Sequence, residues 1–197
     1  MSQGRNSGAC ASPSLPYLQR MHVVLLASQS LDGRITKRGL AGDAFTSAAD
    51  KAHFRATLRE CDACVMGAAT YEENKERLRP DRLPGLRRVV RTRNPETRAA
   101  ETVAGVLEFS SETPTEIVAR LRADGRHRCA LLGGGQTNGE FLKAGLVDEV
   151  CVTVESWIFQ SGTPLSADVG VEVALELLEA KVLAAGGPVL LRYAVKK

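Results

Sequence analysis

Short hydrophobic runs and segments of helical spacing alternate along most of the chain. Residues 21–28 (MHVVLLAS) form a continuous apolar run that is typical of a strand buried on both faces. Residues 46–60 place apolar side chains at helical intervals behind a Thr-Ser pair that can cap a helix. The pattern predicts strands over 21–28, 63–66, 86–92, 103–109, 128–132 and 147–154, and helices over 46–60, 68–78, 113–123 and 137–144.

This alternation predicts an α/β fold with a mostly parallel central sheet that helices flank. Two further apolar runs, 171–183 and 188–195, are separated by the turn sequence Ala-Gly-Gly-Pro, which predicts an antiparallel C-terminal hairpin. A length of 197 residues fits one domain, which we expect over 20–197. Residues 1–19 are rich in Ser, Gly, Pro and Ala without periodicity, and we expect them to form a mobile tail.

The composition excludes several classes of protein. With 44% hydrophobic and 25% charged residues, the chain is typical of a soluble globular protein. No run reaches the roughly 20 apolar residues of a membrane-spanning helix, and the N-terminus has no apolar segment of the kind found in secretory signals. We therefore expect a cytoplasmic protein with no membrane partner.

The cysteines predict no metal site. Five cysteines, an odd number, are consistent with reduced thiols. Cys61 and Cys64 form one C-x-x-C pair, but a tetrahedral zinc site needs four ligands and no second pair follows. We expect these two residues to be small buried side chains between a helix and a strand.

The charge is small overall but unevenly distributed. A formal charge of +3 is too low to indicate a nucleic-acid-binding protein, whereas residues 77–98 contain eight arginines and only two acidic residues. A local surplus of this kind indicates either one anionic ligand or a solvated basic edge.

The strongest local signal is the segment 129–142, CALLGGGQTNGEFL. A buried strand leads into Gly133, Gly134 and Gly135, and a helix follows. Glycines allow backbone N–H groups to approach a phosphate, and the helix N-terminus adds partial positive charge. The alternative is a tight turn between strand and helix.

Two weaker signals follow other predicted strands. Gly67 precedes a helix that starts near Thr70, and Arg91 and Arg93 flank Thr92 at a strand end. Each has an ordinary explanation, as a strand–helix turn or a solvated edge. Because the carboxyl ends of parallel strands meet at one edge of a sheet, all three signals can bind one dinucleotide, and the arginines favour NADP over NAD.

Polar residues also follow the first strand. Ser28, Ser30 and Asp32 can face the same crevice, where Asp32 would contact a substrate. Asp-Gly is also a common turn, so Asp32 has a structural alternative.

Five segments resemble one known family in their content and order. They are ASQSLDGRIT (27–36), TSAADKAHFRATLRECDACVMGAATY (46–71), RVVRTRN (88–94), LLGGGQTNGEFLKAGLVDEVCVTV (131–154) and SGTPL (161–165). Together they resemble the reductase domain of riboflavin biosynthesis, which has the dihydrofolate reductase-like fold. The resemblance covers residues 20–195.

The resemblance implies a homodimeric, NADPH-dependent reductase that converts a ribosylaminopyrimidine phosphate to its ribitylamino form by hydride transfer. Matched by position, the implied cofactor-binding residues are Gly67, Thr70, Asn74, Arg91, Thr92, Arg93, Gly133, Gly134, Gly135, Gln136 and Thr137. The implied substrate-binding residues are Ser30, Asp32, Thr46 and Ser47. Asp32 and Glu155 are the candidate catalytic carboxylates.

The chain departs from the family pattern at three places. The family's D-N-P-x-L-T-x-R segment reads NKERLR over 74–79, many bacterial members have Glu at the position of Gly133, and the proline preferred near Ser156 is missing. The deaminase signature H-x-E…P-C-x-x-C is also missing. Two other functions therefore stay open: a reductase of the same fold acting on a pterin or a specialised metabolite, and a nucleotide-binding module without turnover.

Overall fold

In a computed structural model of the protein, the described residues are 20–37 and 44–197. The predicted mobile tail, 1–19, lies outside them. The strands are β1 (His22–Ser30), β2 (Ala63–Gly67), β3 (Arg87–Arg91), β4 (Leu107–Ser110), β5 (Arg128–Leu131), β6 (Glu149–Glu155), β7 (Leu175–Val182) and β8 (Val189–Val195). The α-helices are α1 (Ala48–Arg59), α2 (Ala68–Asn74), α3 (Pro114–Ala123) and α4 (Gly135–Lys143), and a 3-10 helix spans Pro95–Glu101.

The eight strands within 20–37 and 44–197 form one sheet in the order β4-β3-β2-β5-β1-β6-β8-β7. The pairs among β1 to β6 are parallel. The pairs β6–β8 and β7–β8 are antiparallel. This topology confirms the predicted α/β class, the mostly parallel sheet and the antiparallel C-terminal hairpin.

The core has two layers, one on each side of the sheet. Because successive side chains of a strand point to opposite faces, Val23 and Leu25 of β1 pack with Ile117 and Phe141 of helices α3 and α4. Val24 of the same strand packs in the other layer, which the first two helices cover. Both layers are apolar, and this explains why β1 reads as a continuous hydrophobic run.

Two helix starts follow from their capping residues. The Ser47 side chain accepts a hydrogen bond from the Asp50 N–H and so caps α1. Thr113 and Glu116 form a capping box at the start of α3, with Pro114 in the first turn. No helix within 20–37 and 44–197 has the length and hydrophobicity that a membrane-spanning segment requires.

Helix α2 ends at Asn74 rather than at residue 78, because the buried side chain of Arg88 organises the following loop. Arg88 is 1% exposed, and its guanidinium donates hydrogen bonds to the carbonyls of Leu78 and Leu86 at 2.5 Å each. It also donates to the carbonyls of Leu83 (3.0 Å) and Arg79 (3.2 Å). One member of the arginine-rich segment is therefore a structural residue of the interior.

Replacing Arg88 by Met should destabilise the fold, because four carbonyl groups, three of them in buried bonds, would lose their donor. We expect the free energy of unfolding to fall by about 3 kcal/mol, with new protease cleavage within 78–86. Urea denaturation and limited proteolysis measure both effects. Arg79→Met, at an exposed ion pair with Asp81, is the matched control and should change stability by less than about 1 kcal/mol. Equal effects of the two substitutions would contradict the structural role of Arg88.

Candidate active site

The carboxyl ends of β1, β2, β3 and β5 open into a crevice of about 1320 Å³. Apolar side chains of Leu26, Phe54, Leu58 and Leu132 form part of its lining. Of the residues predicted from the sequence, those that line the crevice are Ser28, Thr46, Gly67, Thr70, Asn74, Arg91, Thr92, Arg93, Gly134, Gly135, Gln136 and Thr137. The three strand ends that were expected to share one ligand are thus brought together.

The ends of β2 and β5 approach closely at two glycines. The Gly67 N–H donates a 2.7 Å hydrogen bond to the Gly133 carbonyl, and a Cβ added to Gly67 would lie 3.0 Å from the Thr137 hydroxyl oxygen. Gly133 has a φ of +90°, and its peptide bond to Gly134 is cis. Gly133 itself does not line the crevice, and its backbone instead connects the two strands.

Helix α4 presents its N-terminus to the crevice. Gly134 is its N-cap and provides no side chain to accept from the first turn, while Gln136 and Thr137 line the crevice. The helix begins two residues before the predicted start, because Gly135 already has helical geometry. An N-terminus without a side-chain cap leaves backbone N–H groups available to an anion.

Gly135 has a second role that the sequence did not indicate. A Cβ at Gly135 would lie 2.5 Å from the Pro164 carbonyl oxygen, and one at Gly139 would lie 2.9 Å from the Ala167 carbonyl oxygen. The Ala167 N–H also donates to the Gly135 carbonyl at 2.9 Å. These glycines therefore allow the segment 164–167 to pack directly on α4.

The two arginines at the end of β3 differ in availability. Arg91 forms an ion pair with Glu140 of α4. Arg93 is exposed, lines the crevice and makes no ion pair with any other described residue. Arg93 is thus the better placed of the two to bind a phosphate from solution.

A buried carboxyl group, Asp50, lines the crevice and was not among the predicted site residues. Asp50 is 4% exposed, and its carboxyl is hydrogen bonded to the side chains of Ser28 and Thr153. Burial raises the pKa of Asp50, and the nearby charge of Glu155 adds to the effect. The sequence contains a signal for it, because Asp50 falls on the same helical stripe as the inward-facing Phe54.

Asp32 lies outside the crevice lining and joins two loops. Its carboxylate accepts hydrogen bonds from the Ser30 hydroxyl (2.6 Å) and from the N–H groups of Phe159 (3.0 Å) and Gln160 (2.8 Å). These bonds, led by the one from Ser30, lower the pKa of Asp32 to about 2. The geometry thus favours the structural alternative for Asp32, with Ser30 as one of its partners, over contact with a substrate.

Glu155 and Ser47 fix the start of α1 rather than line the crevice. The Glu155 carboxylate, 5% exposed, accepts a 2.7 Å hydrogen bond from the Ser47 N–H. The Ser47 hydroxyl accepts from the Asp50 N–H at 3.1 Å. Both residues therefore hold Asp50 in place, which makes them positioning residues.

The four described cysteines are buried and free. Burial raises the pKa of Cys64 and of Cys151 to about 12, so both remain protonated thiols. The remaining cysteine, Cys10, lies outside the described residues.

Comparison with known proteins identifies the family and the fold. Residues 21–189 match the family model of the RibD C-terminal domain. Among curated proteins, none matches the chain.

Three solved structures illustrate the likeness in fold. A pyrimidine reductase-like protein from Corynebacterium diphtheriae is 18% identical, with a TM-score of 0.69 over 93% of this chain and 96% of that one. A diaminohydroxyphosphoribosylaminopyrimidine deaminase/5-amino-6-(5-phosphoribosylamino)uracil reductase from Thermotoga maritima is 18% identical, with a TM-score of 0.71 over 90% of this chain and 57% of that one. Dihydrofolate reductase from Enterococcus faecalis, complexed with NADP(H), is 22% identical, with a TM-score of 0.65 over 91% of this chain and 99% of that one.

The opposite pKa shifts of Asp50 and Asp32 predict opposite effects of Asn substitution. The pKa of Asp50 is higher in the folded state than in the unfolded state, so the wild-type protein loses stability as the pH rises from the unfolded pKa through the folded pKa. Asp50→Asn cannot ionise and therefore does not lose this stability. We expect this variant to be more stable than the wild type at pH 7 by about 1 kcal/mol, with the difference shrinking towards pH 4.

Asp32→Asn is the matched control. The pKa of Asp32 is lower in the folded state than the unfolded-state pKa of 3.8, so its carboxylate stabilises the fold above that pH. Asp32→Asn should therefore be less stable than the wild type at pH 7. Thermal unfolding between pH 4 and pH 8 measures both variants. If Asp50→Asn is destabilised as much as Asp32→Asn, burial does not control the Asp50 carboxyl.

Proposed function

The chain belongs to the RibD C-terminal domain family, and on that premise we propose that it is an NADPH-dependent reductase of a ribosylaminopyrimidine phosphate. The observation that carries this proposal is the convergence of the ends of β2, β3 and β5 on one crevice. Family membership and the reductases among its structural neighbours support the coarser statement that the chain is a reductase of the riboflavin-pathway type.

The crevice lining fits the parts of a dinucleotide. The pyrophosphate is assigned to the N-terminus of α4 at Gly134–Gln136, where the helix has no side-chain cap and its partial positive charge is uncompensated. Gly67, which lines the crevice beside Thr70 and Asn74, has no side chain and so leaves that space open to the cofactor.

Selectivity for NADPH is assigned to Arg93. A 2′-phosphate needs a cationic partner, and Arg93 offers an exposed guanidinium at the end of β3. Arg91, paired with Glu140, would contribute mainly by holding α4 against this strand end.

The chemistry divides between cofactor and protein. When bound, NADPH supplies the hydride, while the protein orients the heterocycle and excludes water. Asp50 is the buried carboxyl of the crevice, and we assign it the ring N–H groups of the heterocycle as hydrogen-bond partners. Its raised pKa suits a carboxyl that holds a proton beside the reacting bond. Glu155 and Ser47 act through Asp50 by fixing the start of α1.

A phosphorylated substrate is favoured by the charges on the crevice rim. Arg55, Arg59 and Arg82 line the crevice, and no ion pair joins any of them to another described residue. Three guanidinium groups beyond the proposed cofactor site are suited to a second phosphate group. A reductase of a non-phosphorylated pterin would need Asp50 but would not need these three arginines.

An assay with three substrates tests the function. We expect the purified protein to oxidise NADPH with the ribosylaminopyrimidine phosphate, and at least about 10-fold less efficiently with its dephosphorylated form, because a phosphate–arginine contact is worth about 1.5–3 kcal/mol. Turnover of a dihydropterin alone would identify a reductase of another heterocycle. NADPH binding without oxidation of any of the three would identify a nucleotide-binding module.

Arg93→Ala tests the cofactor assignment separately. We expect the Kd of NADPH to rise about 10-fold or more, because one charge-assisted contact to the 2′-phosphate is lost, while the Kd of NADH stays unchanged. Fluorescence titration with NADPH and with NADH measures both dissociation constants in the variant and in the wild type. Arg98→Ala is the matched control, since Arg98 pairs with Glu72 and Glu101 outside the crevice lining. Equal weakening of NADPH and NADH by Arg93→Ala would contradict the assignment.

A further inference from the structure

Buried polar side chains are concentrated along one seam, between helix α1 and strand β6. Among the described residues, nine polar or charged residues are buried, and five of them lie on these two elements: Asp50, Thr57, Glu149, Thr153 and Glu155. Burying polar groups costs free energy unless they are well paired, so a continuous row of them in a core is typical of a functional feature.

The seam forms because α1 lies across one face of β6, to which alternate residues of the strand point. Asp50 of α1 is hydrogen bonded to Thr153. About one turn later, the Nε2 atom of His53 lies 3.5 Å from the Sγ atom of Cys151 and 3.4 Å from the Thr57 hydroxyl oxygen. Side chains three residues apart on a helix are neighbours, with about 5–6 Å between their Cβ atoms, so Asp50 and His53 are adjacent along the seam.

The two residues open into different cavities. Asp50 lines the crevice, whereas His53 lines a second, smaller cavity of about 190 Å³ together with Thr57 and Cys151. Neither residue lines the cavity of the other. The pair Asp50 and His53 therefore connects the interior of the crevice wall to a separate space.

The other charged groups around His53 balance. Those that line the second cavity are three acidic and three basic residues, Glu60, Arg128, Glu149, Glu179, Lys181 and Arg192. Arg192 forms ion pairs with both Glu149 and Glu179, and His22 of β1 contacts Glu149 as well. Histidine is the residue type that most readily exchanges protons near neutral pH, and His53 is the histidine of this cavity.

The proposed reaction needs a proton behind Asp50. Each reduction consumes one hydride and one proton, and Asp50 is the carboxyl assigned to hold that proton. Asp50 is only 4% exposed in the empty crevice, and a substrate bound against it covers that side as well. The seam is the path to Asp50 that bound ligands leave open.

We propose that His53 is a proton relay that returns a proton to Asp50 from the second cavity, an inference that rests on the proposed function. In each turnover, Asp50 gives its proton to the substrate and becomes a carboxylate. The imidazolium of His53 then passes a proton across the seam to this carboxylate, and the neutral ring takes a new proton from water in the cavity. One solvent proton thus replaces the one consumed with the hydride. His53 touches neither substrate nor cofactor and acts through Asp50, which makes it a positioning residue.

His53→Ala with added imidazole tests the relay. We expect kcat at about pH 8 to fall roughly 10-fold or more, because proton return is slowed. The KM of the substrate and the Kd of NADPH should be unchanged, and the latter also reports that the variant is folded. Imidazole in the buffer should restore most of kcat, whereas pyrazole, which has the same size but is far less basic, should not. His127→Ala is the matched control, since His127 is exposed and lines neither cavity, and it should keep the kcat of the wild type.

An NMR titration of the Asp50 carboxyl carbon needs no turnover and so separates this inference from the proposed function. A cationic ring near Asp50 favours its carboxylate form. His53→Gln keeps a polar side chain but removes the charge, so it should raise the pKa of Asp50, while His127→Gln should leave that pKa unchanged.

Three results would overturn the relay: an unchanged pKa of Asp50 in His53→Gln, a wild-type kcat in His53→Ala, or a loss of kcat that imidazole restores no better than pyrazole does. If the wild type reduces none of the substrates while the pKa of Asp50 still responds to His53→Gln, the proposed function is wrong and the connection between the two residues is supported.

Discussion

The hydrogen bond from the Gly67 N–H to the Gly133 carbonyl is the contact on which the crevice depends. β2 and β5 are neighbours in the sheet, and this bond continues their pairing beyond its last pair, Val65 and Leu131. A Cβ at Gly67 would lie 3.0 Å from the Thr137 hydroxyl oxygen, which is tighter than an ordinary contact, so glycine at this position gives α4 room to pack beside the bond. Helix α2 then starts from one strand and α4 from the other, and the space between them is where the proposed cofactor site lies.

Three carboxyl groups near the crevice have different roles because their surroundings differ. Asp32 receives three hydrogen bonds at the surface, which stabilise its charge and make it a connector between loops. Asp50 is buried in the crevice wall, where desolvation favours the protonated form. Glu155 is buried as well, but it is satisfied by the N-terminus of α1 and so orients Asp50. The residue type alone does not distinguish a connector between loops, a buried carboxyl of the crevice wall and a residue that supports it.

The sequence predicted the parts of the fold that depend on local pattern. Buried strands such as β1 read as hydrophobic runs because both faces are covered, and the glycine-rich turn marks the C-terminal hairpin. Features that depend on distant contacts were not predictable. In the sequence, Arg88 cannot be distinguished from the other arginines of the segment 77–98. The four carbonyl groups that accept hydrogen bonds from its guanidinium come together only when the loop is folded. From the sequence, Asp50 looks like an ordinary acidic residue in the first turn of a helix, because its partners Ser28 and Thr153 lie far away in the chain, on β1 and β6.

Main-chain atoms make several of the contacts that shape the crevice. The Gly67–Gly133 bond and the Ala167–Gly135 bond join main-chain atoms, and they require glycines rather than specific side chains. Mutations can therefore accumulate in the lining during evolution while the crevice keeps its shape. This tolerance is one physical reason why proteins with 18–22% identity to this chain retain its fold.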